Sequence, residues 1–245
     1  MKILIYIPTY NTSKTLAETI SKVSKDIECE YVVVDNGSCD NTVEVAKSLG
    51  LRVIRHHSNR GYGESQKTAY IYSFGNKADI VVMLHSDNQY DPSLLSQILS
   101  PIINDEADVV LGSRILGGRA IEGGMPVYKY ISNRFLTRLE NLVLGTNISE
   151  FHTGYRAYKT GVLERIPFLF NSDSWLFDSE IIFQIVQENC RIKEIPIPTI
   201  YHPNAKTVSF FDGVGYGLGV LKLISRFLLH RLGIWKSKQF KIMEV

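Results

Sequence analysis

The stretch "ADIVVMLHSDNQYDP", residues 78–92, joins a continuous apolar run to a polar segment. A short apolar run bounded by turn residues is typical of a strand that is buried on both faces of a parallel sheet. The segment that follows presents His85, Asp87 and Gln89 where the strand ends. It is either a surface loop that opens the next helix at Asp91-Pro92 or a metal and diphosphate site.

The first 112 residues repeat this alternation of apolar runs and helical segments. The apolar runs are "KILIYI" (2–7), "EYVVVD" (30–35), "LRVIRH" (51–56), "DIVVML" (79–84) and "ADVVLG" (107–112). Helices are predicted between them, over about 14–25, 42–49, 63–74 and 92–103. Strands rich in Val and Ile that alternate with helices indicate βαβ units. We therefore predict an α/β protein with a mostly parallel, Rossmann-like sheet flanked by helices.

The second half is less regular. A glycine-rich segment at 116–126 is expected to be a mobile loop. Helices are predicted over about 128–144 and 178–188, followed by a strand at 191–197. No linker or internal repeat marks a boundary, so we predict one domain over 1–205 with a C-terminal helical extension over 206–245. Within the domain, 1–112 and 113–205 are expected to form two halves.

Charge and cysteine content restrict the functional class. The near-even balance of 27 basic and 25 acidic residues argues against a general nucleic-acid-binding role. Cys29, Cys39 and Cys190 lie far apart and form no CxxC pair, so neither a disulfide framework nor a zinc site is indicated. We therefore expect a protein of the reducing cytoplasm.

The apolar stretch at 213–235 is interrupted by charged residues, so no membrane span is predicted there. Lys222, Arg226 and His230 recur every four residues and form a basic stripe on one helix face. Such a helix either packs on the domain or lies on an anionic membrane surface.

Polar segments follow four of the predicted strands. They are "PTYN" (8–11), "DNGSCDNT" (35–42), "NRGYGESQK" (59–67) and "HSDNQ" (85–89). Because ligands of open parallel sheets bind beyond the carboxyl ends of the strands, these segments are expected to line one site. Carboxylates such as Asp35 and Asp87, with the backbone around Gly37, suit a nucleoside diphosphate and a divalent metal ion.

Six segments, in order and at their spacing, resemble the family-2 glycosyltransferases with a GT-A fold. They are "IPTYN", "VVVDNGSCDNT", "NRGYGESQKTA", "HSDNQYDP", "GSR" and "TGYRAY". Within that family the chain is similar to the branch of dolichol-phosphate mannose and polyprenyl-phosphate glucose synthases, from about residue 3 to 200. The resemblance implies transfer of a hexose, with inversion, from a UDP- or GDP-linked donor. The implied acceptor is a polyprenyl phosphate at the membrane surface or a hydroxyl of a glycan or glycolipid.

The resemblance also implies roles for single residues. Those expected at the donor are Pro8, Tyr10, Asn11, Asp35, Gly37, Lys67, Ser86, Asp87 and Gln89. Asp87 is expected to hold Mg²⁺ or Mn²⁺, with His85 as a further candidate ligand. Candidate catalytic residues are Asp178, Glu180, Arg114 and Arg156. One of the two carboxylates would act as a base only if the acceptor is a hydroxyl, since a phosphate is already ionised near neutral pH.

The chain departs from the family pattern at three places. His85 replaces the first Asp of the DxD motif, where it either ligates the metal or only hydrogen-bonds the rim. Glu150 stands where family members have Asp, and "HPNAKTVSF" (202–210) replaces a basic segment, leaving His202 and Lys206 as candidate phosphate contacts. An alternative function is therefore a catalytically silent nucleotide-sugar-binding protein. We expect a cytoplasmic location, peripheral on the inner face of the membrane, and leave the oligomeric state open.

Overall fold

A computed structural model describes residues 1–24, 27–199 and 210–241, without the side chains of 210 and 211. The candidate phosphate contacts His202 and Lys206 lie outside the described residues. The strands are β1 (Ile3–Thr9), β2 (Glu30–Asp35), β3 (Arg52–Arg55), β4 (Ile80–Met83), β5 (Val109–Ser113), β6 (Arg156–Lys159) and β7 (Ile192–Pro196). The helices are α1 (Leu16–Ser21), α2 (Thr42–Ser48), α3 (Tyr62–Gly75), α4 (Leu95–Ile103), α5 (Val127–Leu144), α6 (Thr160–Arg165), α7 (Phe177–Gln187) and α8 (Phe210–Arg231).

The seven strands form one sheet in the order β3-β2-β1-β4-β6-β5-β7. All neighbouring pairs are parallel except those of β6, which is antiparallel to β4 and to β5. The predicted mostly parallel sheet flanked by helices is thus confirmed. The insertion of β6 between β4 and β5 was not predicted, because a four-residue strand that starts with an arginine carries no period-2 apolar signal.

Both faces of the sheet are buried, as the continuous apolar runs predict. Along β1, Leu4 and Tyr6 belong to one core cluster, which includes residues of α3, α6 and α7. Ile5 and Ile7 point the other way into a second cluster, which includes residues of α4. With its strands fixed from both sides, the sheet holds the loops at its carboxyl edge in place.

Two helix starts differ from their predicted positions. The chain at 12–15 forms a turn, in which the Thr15 amide donates to the Thr12 carbonyl, so α1 begins only at Leu16. The helical segment predicted from 92 begins with a 3₁₀ turn at Pro92–Leu94, before α4. Asp91 caps this turn by accepting a hydrogen bond from the Ser93 amide (2.9 Å), as the Asp-Pro pair indicates.

The C-terminal helix packs on the body of the protein. Leu223 and Phe227 of α8 are buried against Phe183 of α7 and Phe240. Within the described residues, no helix has the length and hydropathy of a membrane span.

Two members of the basic stripe on α8 contact the chain that follows the helix. Arg226 donates to Oε1 of Gln239 (2.7 Å), and Nδ1 of His230 accepts from the Ser237 amide (3.1 Å). Part of the stripe therefore has an internal role, and the prediction that this helix packs on the domain is confirmed.

Two glycines of α3 are expected to respond oppositely to alanine. A Cβ on Gly63 would overlap the carbonyl oxygen of Ser172 and lie 3.0 Å from Cβ of Phe177. At Gly75, no heavy atom of the described chain lies within 4 Å of the added Cβ. Gly63→Ala should therefore lower the free energy of unfolding by about 1–3 kcal/mol, and Gly75→Ala should raise it by up to about 1 kcal/mol. Urea unfolding followed by circular dichroism measures both, and equal effects would contradict the close packing at Gly63.

Candidate functional site

A cavity of about 470 Å³ lies between the loops at the carboxyl edge of the sheet and the α5–α8 pair. Its polar part is lined by His85, Asp87, Gln89, Arg114, Lys129, Ser132, Asn133, His152 and Asp178. Its aromatic and apolar part is lined by Tyr62, Tyr90, Met125, Tyr128, Phe135, Leu136, Trp175, Val214, Tyr216, Leu218 and Leu221. The cavity thus offers a polar floor next to an apolar wall.

The polar floor begins at the loop after β4. Oδ1 of Asp87 accepts a hydrogen bond from the Gln89 amide (3.1 Å), which turns the carboxylate within the loop. Asn88 between them adopts a positive φ of 59°, a conformation that Asn tolerates better than most residues. The side-chain nitrogen of Gln89 is buried and has no partner among the described residues. Both side chains line the cavity, so the structure brings these two predicted residues together.

The ring of His85 is enclosed beside Asp87. It lies 5.0 Å from the ring of Tyr90 and 6.1 Å from that of Tyr62, and a Cβ on Gly154 would overlap its Nε2. Nε2 is buried and has no hydrogen-bond partner in the described chain. Burial lowers the pKa of His85, although Asp87 opposes this effect. The imidazole is therefore held neutral near pH 7, the form in which it ligates a metal ion.

Asp35, which ends β2, is fully buried and bonded within the protein. Its carboxylate accepts from the Thr9 hydroxyl (3.3 Å) and the Ser38 amide (3.2 Å), and it lies 3.4 Å from Nε of Arg55. Gly37 has a φ of 77°, and a Cβ there would lie 2.6 Å from the carbonyl carbon of Ser58. These contacts fix the loop after β2, and the roles of Asp35 and Gly37 at a nucleoside remain predictions.

The loops after β1, β2 and β4 are joined to one another. The amide of Asn11 donates to Oγ of Ser38 (2.9 Å), and its Oδ1 accepts from the Cys39 amide (2.8 Å). Ser86 donates to the carbonyl of Pro8 (3.3 Å). Tyr10 is exposed on this rim. The structure thus places these predicted donor residues on adjacent loops.

Lys67 lies on α3 and is mostly buried. Its ammonium donates to the carbonyl of Asn171 and to Oδ1 of Asp173, both at 2.6 Å. In this position Lys67 joins α3 to the segment before α7, and its place near the donor remains a prediction.

Arg114 is held by the residue that departs from the family pattern. Its backbone amide (2.7 Å) and Nε (2.9 Å) donate to the two carboxylate oxygens of Glu150, and Nη2 contacts the same carboxylate. Nη2 also donates to the carbonyl of His152 (2.8 Å). Glu150 is fully buried, so its function in this fold is to orient a guanidinium that lines the cavity.

Of the two candidate catalytic carboxylates, one lines the cavity and the other is buried outside it. Asp178 lines the cavity, and its carboxylate accepts from the Tyr62 hydroxyl (3.1 Å) and from Nε2 of Gln66 (3.0 Å). Glu180 lies outside the cavity lining, nearly fully buried, and accepts from the Ser172 amide (2.6 Å). The structure therefore brings Asp178, but not Glu180, to the cavity.

Arg156 is fully buried outside the cavity lining. Its guanidinium donates to the carbonyls of Thr153 (2.6 Å), Phe151 (2.7 Å) and Asp178 (2.8 Å), and lies 3.6 Å from the Asp178 carboxylate. It supports the wall of the site through these backbone contacts, and its direct part in the reaction remains a prediction.

Sequence reasoning missed several residues of the cavity. Lys129 of α5 lines the floor, and its pKa is lowered by burial and by Arg114 nearby. Trp175 stacks on Tyr62 with ring centroids 4.1 Å apart. Tyr216 of α8 reaches the same cavity. Tyr62 stands inside the segment "NRGYGESQK", whereas Lys129 and Tyr216 lie on helices whose contacts no local motif indicates.

Comparison with known proteins agrees with this geometry. The family model described as glycosyl transferase family 2 matches residues 4–167. The chain is 26% identical over 248 residues to the UDP-N-acetylglucosamine–dolichyl-phosphate N-acetylglucosaminyltransferase of Methanococcus voltae, covering 94% of this chain and 96% of the relative. It is 30% identical over 220 residues to the dolichyl-phosphate hexose transferase of Haloferax volcanii, covering 88% and 90%.

A solved structure with the same fold is the glucosyl-3-phosphoglycerate synthase of Mycobacterium tuberculosis, in complex with Mn²⁺, UDP-glucose and glycerol 3-phosphate. It matches with a TM-score of 0.69 at 20% identity, covering 96% of this chain and 82% of that one. The sheet and its polar rim thus define a glycosyltransferase of the GT-A fold. The chain belongs to glycosyl transferase family 2, which confirms the resemblance seen in the sequence.

Proposed function

We propose that this protein transfers a hexose, with inversion, from a UDP- or GDP-linked donor to a polyprenyl phosphate. The observation that carries the proposal is the cavity itself, in which a floor with an arginine and a lysine adjoins an apolar wall. A lipid phosphate has the matching composition, with an anion at one end and a hydrocarbon chain at the other. The names of the relatives from Methanococcus voltae and Haloferax volcanii support the same acceptor class.

The cationic groups of the floor suit a phosphate. Arg114 and Lys129 both line the cavity, and Ser132, one helical turn from Lys129, adds a hydroxyl to the same lining. A guanidinium held by Glu150 keeps its orientation, so little conformational entropy is lost when an anion binds. These groups would hold the acceptor phosphate and stabilise charge on the leaving diphosphate.

The state of Asp178 favours a phosphate over a hydroxyl acceptor. Its carboxylate already accepts two hydrogen bonds and lies near the buried Arg156. Because both carboxylate oxygens already accept hydrogen bonds from the protein, this side chain is poorly placed to take a proton from an acceptor hydroxyl. A hydroxyl acceptor needs a base, whereas a phosphate, with a second pKa of about 6, is already a nucleophile near pH 7.

The residues at the floor fit a divalent metal ion. Asp87 offers a carboxylate and His85 a neutral imidazole with an unpartnered, buried nitrogen. Among the described residues, no group of three or more His, Cys, Asp or Glu could hold a metal ion, so the donor diphosphate would supply further ligands. An imidazole beside a carboxylate suits Mn²⁺ better than Mg²⁺. A bound ion would neutralise charge on the departing diphosphate.

In the proposed reaction, an oxygen of the acceptor phosphate forms a bond to the anomeric carbon. The bond from that carbon to the donor diphosphate breaks on the opposite face, and its electron pair leaves with the nucleoside diphosphate. The Gln89 side-chain amide is an unpartnered donor on the same floor and would bind a donor oxygen. The loops after β1 and β2 would bind the nucleoside.

We further propose that the protein works at the membrane surface on the cytoplasmic side. Phe135 of α5 and Leu218 of α8 line the cavity and are also more than half exposed, so the apolar wall continues onto the surface. Other exposed apolar side chains on these helices and just after them are Val127, Ile131, Leu232, Ile234 and Trp235. Lys222 and Lys236 lie among them in the sequence and would face anionic headgroups.

The function is tested by incubating the protein with a panel of UDP- and GDP-sugars, Mn²⁺ or Mg²⁺, and a polyprenyl phosphate in detergent. We expect one donor to yield a glycosylated lipid phosphate and a stoichiometric amount of nucleoside diphosphate. A free prenol of the same length is the matched acceptor, and it should react far more slowly because it needs a base. Nucleotide binding without turnover of any donor would contradict the proposal and favour the catalytically silent alternative.

The metal role is tested at Asp87 and His85. Asp87→Ala should lower donor affinity in Mn²⁺ at least about tenfold, to its metal-free level, because a carboxylate ligand is lost. His85→Asp should keep or strengthen Mg²⁺ dependence, since a hard oxygen replaces the imidazole. Titration calorimetry with and without metal measures both. Asp91→Ala is the control, because Asp91 caps the next helix, and an Asp87→Ala affinity equal to that of the control would contradict the metal site.

Membrane attachment is tested by sedimentation with vesicles that contain anionic phospholipid. The double variant Ile234→Ser, Trp235→Ser should bind about tenfold more weakly, because it removes apolar surface from the proposed contact. Ile71→Ser, on an exposed position of α3, is the control. Equal binding of the double variant, the control and the unaltered protein would contradict this surface.

A further inference from the structure

Four polar side chains from separate parts of the fold form a chain of close contacts beside the cavity. Oε2 of Glu140, on α5, is 3.3 Å from Nε2 of His152, and Nδ1 of His152 is 2.7 Å from the hydroxyl of Tyr216 on α8. That hydroxyl is 2.9 Å from Oγ of Ser179 on α7. Glu140 is fully buried, and within the described residues neither its side-chain oxygens nor Nε2 of His152 makes a hydrogen bond of normal geometry, so the two groups are in contact without a formed bond. Four separate parts of the fold therefore meet in one chain.

The Glu140–His152 pair holds one proton at neutral pH. Burial raises the pKa of Glu140 to about 8, against opposing effects of Ser179 and Arg156. Burial, with Arg156 and Arg114 nearby, lowers the pKa of His152 to about 3. A protonated Glu140 carboxyl, 3.3 Å from Nε2 of His152, would donate to that nitrogen, and Nδ1–H of His152 then donates to the Tyr216 oxygen. The Tyr216 hydroxyl donates to Ser179 in turn, and every hydrogen bond points away from Glu140.

Two members of this chain of polar groups, His152 and Tyr216, reach the cavity in which the acceptor is proposed to bind. His152 and Tyr216 line the cavity, and the His152 carbonyl accepts from Arg114 (2.8 Å). Tyr216 lies in the glycine-rich first half of α8, "GVGYGLG" (213–219), where glycine at alternate positions weakens the helix. A hydrogen bond from Tyr216 to the body of the protein therefore helps to seat this half of the helix over the cavity.

We propose that the chain Glu140–His152–Tyr216–Ser179 is a positioning device for the anionic acceptor, an inference that rests on the proposed function. With the proton on Glu140, the wall beside the acceptor is neutral and Tyr216 holds α8 in place. When Glu140 loses the proton, the hydrogen bonds reverse and a buried negative charge faces the acceptor phosphate. The acceptor then binds more weakly, while the donor, held on the other loops, is unaffected.

Other charged or titratable groups contact this chain from each neighbouring element. They are Arg156 of β6, Asp178 next to Ser179 on α7, Arg114 after β5 and Glu150 before His152. The guanidinium groups of Arg114 and Arg156 stay charged throughout the range of the experiment. Lys129 of α5 lines the same cavity and its pKa is lowered, but it is present in both proteins compared below, so the difference between their pH profiles reports Glu140.

The test compares the unaltered protein with Glu140→Gln, whose side-chain amide donates to Nε2 of His152 at every pH. In the unaltered protein, KM for the polyprenyl phosphate should rise about tenfold at one pH unit above the pKa of Glu140, with the donor KM constant. In Glu140→Gln the acceptor KM should stay level between about pH 7.5 and 9.5. Glu164→Gln, on an exposed position of α6, is the matched control and should keep the unaltered profile.

Two further measurements separate positioning from a merely structural role. Tyr216→Phe, which keeps the ring and removes the hydroxyl, should raise the acceptor KM about tenfold, the effect of one buried hydrogen bond, and leave the donor KM unchanged. A carboxyl whose pKa is raised by folding stabilises the protein fully below its unfolded pKa and loses that contribution as the pH rises to the folded value. Between pH 4.5 and about 8, the unaltered protein should thus lose thermal stability relative to Glu140→Gln.

The outcomes distinguish this inference from the proposed function. Transfer by both proteins with coincident pH profiles of the acceptor KM overturns the inference and leaves the proposed function in place. Absence of transfer to any acceptor by the unaltered protein overturns both. A level profile in Glu140→Gln alone, with a rising one in the unaltered protein and in Glu164→Gln, supports the inference.

Discussion

The site depends on the burial of one guanidinium. Arg156 starts the antiparallel strand β6, and its side chain, fully enclosed, binds the backbone carbonyls of Phe151, Thr153 and Asp178. A buried cation is stable only when its donors are satisfied, so the segment before β6 and the start of α7 must keep these positions. That segment carries Glu150 and His152. Through its backbone contacts, Arg156 therefore sets the places of Arg114 and of the wall around Asp178.

The candidate site combines two kinds of structure: a rim of loops, of which the loop after β4 lines the cavity, and a wall of helices. The carboxyl-edge loops of β1, β2 and β4 are joined by short hydrogen-bonded links, such as Ser86 to Pro8 and Asn11 to Ser38. The opposite wall comes from α5 and α8, which meet mainly through apolar side chains and glycine. A polar rim held by hydrogen bonds thus faces a wall that includes the glycine-rich helix α8, whose intrinsic helix stability is low. This division suits an enzyme that binds a small, polar donor on one side and an amphipathic acceptor on the other.

The sequence alone was sufficient for the parallel part of the fold, because each buried strand reads as an uninterrupted apolar run. Of the predicted site residues, Asp87, Gln89, Arg114 and Asp178 line one cavity, since strand ends and family motifs are local signals. The sequence could not place β6, because its pairings with β4 and β5 join segments that are distant in the chain. It could not identify Lys129 or Tyr216 as neighbours either, because only the packing of α5 against α8 brings them to the cavity.

The contact between His85 and Gly154 joins a departure from the family pattern to a glycine of a matching motif that is distant in the sequence. The imidazole occupies the volume in which any side chain at position 154 would begin, and the Gly154 amide donates to the Tyr90 hydroxyl (2.8 Å) that packs beside it. The size of the side chain at position 85 is therefore coupled to the size of the side chain at position 154, and the two residues cannot vary independently. A smaller acidic residue at 85 would leave an unfilled space beside Gly154. The presence of a histidine at position 85 therefore depends on how the end of β4 packs against the start of β6, and not on one sequence motif alone.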